Sequence, residues 1–300
     1  QQNATFWAQQ IAAYMTREQV DILALQEINA PQDSAAVRIL HSHLSKLDYH
    51  IWVNSAQSQH GPTDPGKKLG YGVALVVKKC LRTEAQITNQ PDALAIAADI
   101  KGLTPYPLLI VAAYSPPGQL ATNTTLRNRL NTFLSSLIQG TQRATIVVLA
   151  DSNAYEDPEL DSLSGNSNSK RADLNSFLRS HQFIDTFRQL HPGLRAYSRI
   201  GNSMGGATGS RIDHIYMRTT EGHSVEATAA AIDQRRSFAH TDHCPVTCDI
   251  AVPMLSGKIQ QAIGMLPPAP AWSKFVTAGM EIEEARKQNG PPPQEAIHII

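Results

Sequence analysis

Apolar and polar positions along the first half of the chain alternate in a way that predicts helices and strands in turn. Over residues 3–18, Trp7, Ile11, Tyr14 and Met15 recur at helical spacing. The apolar run from Val20 to Leu25 follows, a buried strand ending in the polar pair Gln26-Glu27. Residues 33–47 read as a second helix with Val37, Leu40, Leu44 and Leu47 on one face, and a loop with Gly61, Pro62, Pro65 and Gly66 comes after it. Strands are predicted at Val73–Val77, Leu94–Ile100 and Leu108–Tyr114, before Pro116-Pro117-Gly118 breaks the chain. Residues 124–138 carry Leu126, Leu130, Phe133, Leu134 and Leu137 at helical spacing, with Gly140 just past the end. Another apolar run, Thr145–Ala150, ends in Asp151.

The second half is richer in strands. A polar Ser/Asn/Gly loop covers 161–169, residues 171–180 look helical, and strands recur near 183–187, 211–217 and 244–250. From about 253 the texture changes: Pro-Pro-Ala-Pro at 267–270 and Pro-Pro-Pro at 291–293 flank a stretch, Trp272 to Lys287, that can hold one helix. Residues 1–252 are therefore read as one domain and 253–300 as a Pro-rich linker leading out of it. Strands alternating with helices and then dominating favour mixed sheets covered by helices.

Charge and composition narrow the chemistry. The 300 residues are 42% hydrophobic, enough for a sizeable core, and 26 basic residues balance 26 acidic ones. A charge-driven nucleic-acid coat is thereby disfavoured; any polyanion contact must rest on a local patch or a metal. Three cysteines, Cys80, Cys244 and Cys248, argue against a disulfide scaffold. No apolar run reaches the roughly 18 residues of a membrane span. The polar residues of interest sit where apolar strands end, the place where loops build sites.

Taken singly, each candidate has a plain reading. Glu27 is a carboxylate at a strand tip, suited to a hard cation or merely solvated. Asp151-Ser152-Asn153 can aim an acid and an amide into one cleft, or can be an Asx turn. Asp213, among isoleucines in Arg211-Ile212-Asp213-His214-Ile215, needs a cationic or imidazole partner. His243, in Thr241-Asp242-His243, is the natural one, since an Asp–His pair fixes the imidazole and raises its basicity. Asp242 can ligate metal or tune His243. Tyr114, just before Ser115-Pro116-Pro117, can offer its hydroxyl to a phosphate. A zinc site from His240, His243, Cys244 and Cys248 is set aside, because the four lie on one short segment with no second ligand cluster.

Together these pieces resemble the endonuclease/exonuclease/phosphatase superfamily, which includes deoxyribonuclease I and the apurinic/apyrimidinic endonucleases. Gln26-Glu27, Tyr114–Pro117, Ala150-Asp151-Ser152-Asn153, Arg211–Ile215 and Thr241-Asp242-His243 occur in the family's order, with Ala150 and Thr241 in place of the family's Gly and Ser. Within it, the run from Asp185 to Pro192, then Tyr197-Ser198 and Ser210–Ile215, looks like the endonuclease domain of non-LTR (LINE-type) retrotransposons. The resemblance implies a four-layer α-β-β-α sandwich of two mixed sheets, and hydrolysis of a DNA phosphodiester to leave a 3′-hydroxyl primer for reverse transcription. It implies Mg²⁺ (or Mn²⁺) held by Glu27 and Asp242, with Tyr114, Asp151, Asn153, Asp213 and His243 as catalytic residues. Double-stranded DNA would be the partner, with a reverse transcriptase domain nearby in the protein and a nuclear location with a cytoplasmic ribonucleoprotein phase; no membrane and no zinc are expected. The stretch Arg199–Gly209 resembles the family's groove-probing hairpin and offers Arg199 and Asn202 as candidate DNA contacts; separately, Lys67, Lys68 and Arg171 are surface charges that can meet backbone phosphates. The family also opens with a strand carrying an Asn well upstream of the glutamate. Glu27 comes too early for it, so that strand is expected to be missing, with Asn3 a poor substitute. Rival expectations are a phosphoinositide, sphingomyelin or poly(A) phosphodiesterase on the same scaffold, or a catalytically silent DNA-binding module.

Overall fold

A computed structural model describes residues 2–28, 30–55, 71–81, 86–100, 104, 106–118, 121–141, 144–164, 173–203, 206–220, 222–223, 225–234, 241–253 and 294–300. Lys67, Lys68 and Arg171, candidates for DNA contact, and His240 fall outside these residues. The elements in order are α1 (Gln2–Arg17), β1 (Ile22–Leu25), α2 (Ala35–Lys46), β2 (Tyr49–Ser55), β3 (Gly72–Lys78), β4 (Gln86–Asn89), β5 (Ala95–Ile100), β6 (Leu108–Tyr114), α3 (Ala121–Gly140) and β7 (Thr145–Asp151). Then come α4 (Pro158–Asp161), α5 (Asp173–Ser180), β8 (Ile184–Asp185), α6 (Thr186–Leu190), β9 (Arg199–Ser203), β10 (Gly206–Ser210), β11 (Asp213–Arg218), β12 (Glu226–Ile232), β13 (Val246–Pro253) and β14 (Gln294–Ile299).

Two six-stranded mixed sheets stack face to face with helices outside them. One runs β12-β13-β14-β1-β3-β2 and the other β4-β5-β6-β7-β11-β8; β9 and β10 form a separate ribbon. The strand period of two sorts the cores. Val73, Leu75 and Val77 of β3 join the core between the sheets, with Ile22 and Ala24 of β1. Ala74 and Val76, with Leu23, turn the other way, under Ile11 and Met15 of α1 and Val37 and Leu44 of α2. Helix α2 starts where the Ser34 hydroxyl accepts the Val37 amide at 3.3 Å. Strands β6 and β7 are buried at every position, hence their unbroken apolar sequence. They pair in parallel, so Tyr114 lies opposite Asp151 and both strand ends open at the same edge.

Four differences from the sequence reading stand out. Residues 183–187 are not one strand: Ile184–Asp185 is followed at once by α6, because the Asp185 carboxylate caps it, accepting the Arg188 amide at 3.1 Å. The stretch 199–209 supplies the hairpin strands themselves and not just a tip. Strands β2, β4 and β12 were not foreseen; β12 is largely alanine, and only its ladder with β13 makes it a strand. The largest difference is β14. The tail from 253 does not simply leave the domain; among the described residues no strand precedes β1, as expected, and the place beside β1 is taken by a strand from the tail. Gln294–Ile299 lies between β13 and β1, antiparallel to the first and parallel to the second.

A buried charged cluster fastens the β11 side of the second sheet. The Arg211 side chain is 1% exposed and donates to Asp161 at 2.8 and 3.1 Å and to Asp185 at 2.5 Å. Arg188 donates to Asp161 at 2.5 Å, and the amides of Glu156 and Asp157 reach the same carboxylate. His214 places Nδ1 3.0 Å from Asp185 and Nε2 3.1 Å from the Ala154 carbonyl. Burial opposes ionisation of both acids, yet Arg211 prevails at Asp161, and His214 with Arg211 at Asp185, so both carboxyls stay below their usual range. Desolvation makes such a cluster poor evidence of net stability but costly to break from one side. Arg211→Met should lower stability by about 3–5 kcal/mol, because it leaves buried carboxylates without their main partner. A urea unfolding midpoint unchanged from the parent would refute this.

Candidate active site

Five strand ends converge at one edge of the sandwich. Glu27 follows β1, Tyr114 ends β6, Asp151 ends β7, Asp213 begins β11, and His243 precedes β13. Asp213 and Asp151 are register partners on antiparallel neighbours, so two carboxylates face each other directly. Asp151 is buried. Burial first, and then the like charge of Asp213, push its carboxyl well above the usual range, while His243 pulls the other way. The imidazole answers this charge: Nδ1 of His243 lies 2.9 Å from Asp213 Oδ2. Burial alone would discharge the ring, but its bond to Asp213, followed by the charges of Asp213, Asp151 and Asp242, lifts its pKa to about 9. At neutral pH His243 is therefore an imidazolium that donates from Nδ1.

Glu27 sits at a backbone position that few side chains tolerate, with φ +54°. The turn is held by its neighbours. The Ile28 amide donates to the Gly72 carbonyl at 3.0 Å, and Gln26 reaches the Leu149 carbonyl on the other sheet at 3.2 Å. A Cβ at Gly72 would lie 2.5 Å from the Ile28 carbonyl oxygen, so only glycine lets the chain pass there. The Tyr114 hydroxyl donates to Glu27 at 2.5 Å. Burial, then that bond, hold the phenol well above its usual pKa, so it stays a donor.

Asn153 also has a positive φ, +50°. Its amide donates to Asp151 Oδ1 at 3.0 Å, which makes Asp151-Ser152-Asn153 an Asx turn, and its side-chain nitrogen donates to the Ser115 carbonyl at 3.1 Å. The plain turn and the site thus coincide. Two strained residues at one edge mark a constrained site.

The Thr241–His243 segment is set by the base of the β9–β10 ribbon. Arg199 bridges His243, the Ile200 amide donates to the Asp242 carbonyl at 2.8 Å, and the Cys244 amide donates to the Ser198 carbonyl at 2.5 Å. The buried Ser198 hydroxyl accepts the amides of Ile212 and Asp213, both at 3.0 Å. One serine therefore registers Asp213 against His243. Sequence reading named Ser198 only within a longer run and missed Gly72; neither carries chemistry of its own, and their roles depend on which strands lie beside them.

Glu27, Asp151, Asp213, Asp242 and His243 line one cavity of about 690 Å³. Tyr114 and Asn153 reach it through Glu27 and Asp151. Tyr114, expected at the phosphate, is spent on Glu27. Asp242, expected on a metal, is ion-paired at 2.7 Å with Arg199, itself expected on DNA. Asn202 lies in β9 opposite Ala207. One ligand atom each from Asp151, Asp213 and His243 fall within 4.8 Å of one another. Cationic His243 is no ligand at neutral pH, but the crowded carboxylates, with Asp151 held up by burial and by the charge of Asp213, suit an oxygen-seeking divalent cation.

A family profile described as "Endonuclease/Exonuclease/phosphatase family" matches residues 2–230. No curated protein matches the chain by sequence. Among solved structures, the 3′ phosphatase NExo from Neisseria bound to a product DNA hairpin is similar at TM-score 0.60 and 20% identity, over 80% of this chain and 92% of that one. TDP2 from D. rerio complexed with single-strand DNA product is similar at TM-score 0.56 and 14% identity, over 83% and 92%.

The raised imidazole pKa gives a signed prediction for the protein in EDTA. Because the folded value of about 9 exceeds the unfolded one, the His243 contribution is complete below about pH 6.5 and is lost as pH rises through about 9. The gap in urea stability between the parent and His243→Gln should therefore be wider at about pH 6 than at about pH 10. A gap that widens with pH would contradict the Asp213–His243 pairing.

Proposed function

The chain belongs to the endonuclease/exonuclease/phosphatase family, and on that premise we propose that it is a divalent-metal-dependent DNA endonuclease. Water enters, the phosphorus–O3′ bond breaks, and the nick carries a 3′-hydroxyl and a 5′-phosphate. The observation that carries this reading is the Asp151–Asp213–His243 cluster facing the Tyr114-supported Glu27 across one cavity.

Each side chain has a task that follows from its surroundings. Glu27 would hold Mg²⁺ or Mn²⁺, which neutralises the scissile phosphate and the leaving oxygen when bound. Asp242 joins it only by giving up Arg199. Asp151, whose basicity is raised by burial and by Asp213, takes the proton of the attacking water. His243, charged, donates from Nε2 to the phosphoryl oxygens as negative charge grows there. Asp213 orients His243 by accepting the hydrogen bond from its Nδ1–H. Asn153 shapes the turn that aims Asp151, and Tyr114 fixes Glu27.

The finer reading is nicking that primes reverse transcription, as in non-LTR retrotransposons. The Asp185–Pro192 run supports it, and within that run Asp185 and Arg188 belong to the buried cluster. Segments 1–252 and 253–300 would then be the endonuclease and a tail that passes through β14 toward a reverse transcriptase. A second reading, removal of a phosphoryl group from a DNA 3′ end, is favoured by the likeness to the Neisseria 3′ phosphatase.

Glu27→Ala, Asp151→Ala and His243→Ala should each reduce Mg²⁺-dependent nicking of supercoiled plasmid by about a hundredfold or more. Equal nicking by all three would reject the assignment. Release of phosphate from a 3′-phosphorylated oligonucleotide, with no plasmid nicking, would select the second reading.

A further inference from the structure

The first sheet consists of two blocks with long ladders and one short seam. In one block, β13 pairs with β12 from Val246 to Ala251 and with β14 from Cys248 to Pro253. In the other, β3 pairs with β1 from Ala74 to Val77 and with β2 along its whole length. At the seam, among the described residues, β14 meets β1 only where Ile299 lies opposite Ile22. Beyond that bridge two backbone bonds extend the seam: Ile300 N–H to the Ile22 carbonyl and Ala24 N–H to the Ile300 carbonyl, both 2.9 Å.

That seam divides the site. Glu27 stands three residues beyond Ala24 in the β1 block, and His243 stands three residues before Val246 in the β13 block. The two isoleucines at the seam point to opposite faces. Ile299 is buried in the core between the sheets, and Ile300 is buried under α1 and α2, where it also forms part of the cavity wall. A slip there would change both cores at once.

We infer that Ile299 and Ile300 are positioning residues for the proposed reaction, the tie that fixes the span between Glu27 and His243; the inference rests on the reading of that site as a phosphodiesterase. Sequence analysis placed these residues in a tail outside the domain, so nothing in the motif set assigns them a role. The second sheet also braces both blocks, through Tyr114–Glu27 and Asp213–His243. Each brace, however, is a single side-chain hydrogen bond from that sheet, so without the seam the two blocks of the first sheet can shift against it and against each other.

The test compares Ile300→Pro, which removes the donor to Ile22, with Ile300→Val, which keeps it. An extended Ile299 is compatible with a following proline. Two readouts are needed. The first is plasmid nicking: Ile300→Pro should lower kcat about tenfold or more with KM for DNA changed less than about threefold, and Ile300→Val should match the parent. The second is independent of chemistry. In Cys80→Ser protein, spin labels at His50→Cys on β2 and Ala229→Cys on β12 report the span between the blocks, and Ile300→Pro should broaden their distance distribution. An unchanged distribution, parental kcat, or a loss of activity that merely tracks the folded fraction in a thermal melt would each overturn the inference. A parent that cuts no DNA would instead defeat the proposed function and leave the tie to be judged by the label distances.

Discussion

The site is organised around one electrostatic problem. Asp151 and Asp213 face each other at the dry ends of two paired strands, and two carboxylates so close cannot both stay charged without a cation. His243 supplies one positive charge by pairing with Asp213. What remains is a carboxyl, Asp151, held basic by burial and by its neighbour, beside a further acid, Glu27. This shortage of positive charge is what makes the edge chemically useful. It suits a divalent cation, and only with that cation bound would the edge tolerate a polyanion, in a protein whose overall charge is balanced.

Holding such a group of like charges needs a rigid frame, and the frame is itself partly ionic. The Arg211 cluster lies just behind Asp213, and His214 extends it to the Ala154 carbonyl, at the far side of the Asp151–Asn153 turn. Ser198 carries the same restraint across to His243. The strained backbones of Glu27 and Asn153 persist because these neighbours over-determine them. Stability and chemistry therefore share residues here, and the Arg211–Ile215 run serves both: its arginine anchors the sheet while its aspartate faces the cavity.

The relatives with solved structures share the fold at low identity, so their likeness speaks to scaffold and not to substrate. The base of the ribbon β9–β10 is bonded to the Asp242–His243 segment. A ribbon that moved to accommodate DNA would carry Arg199 with it and alter the ion pair that now occupies the Asp242 carboxylate.

Much of this was legible along the chain. Strands with nearly continuous apolar runs, β3, β5, β6 and β7, announced themselves because burial on both faces leaves few polar positions. The acids were legible because each follows such a run directly, and Asp213 asked for an imidazole because an unpaired buried acid is costly. Other features had no local signature. Alanine-rich β12 and short β14 are strands only because β13 offers each of them an edge, and Asp185 ends a strand only because its carboxylate is better used as a cap. The pairing of Arg199 with Asp242, the passage of Ile28 over Gly72 and the seam at Ile299 all join residues distant in sequence. Residue order alone determined which side chains are able to carry chemistry and which segments are apolar enough to be buried. Which of them meet, in what register and with what charge was decided by the tertiary structure, since pairing and desolvation depend on neighbours that the linear order does not name.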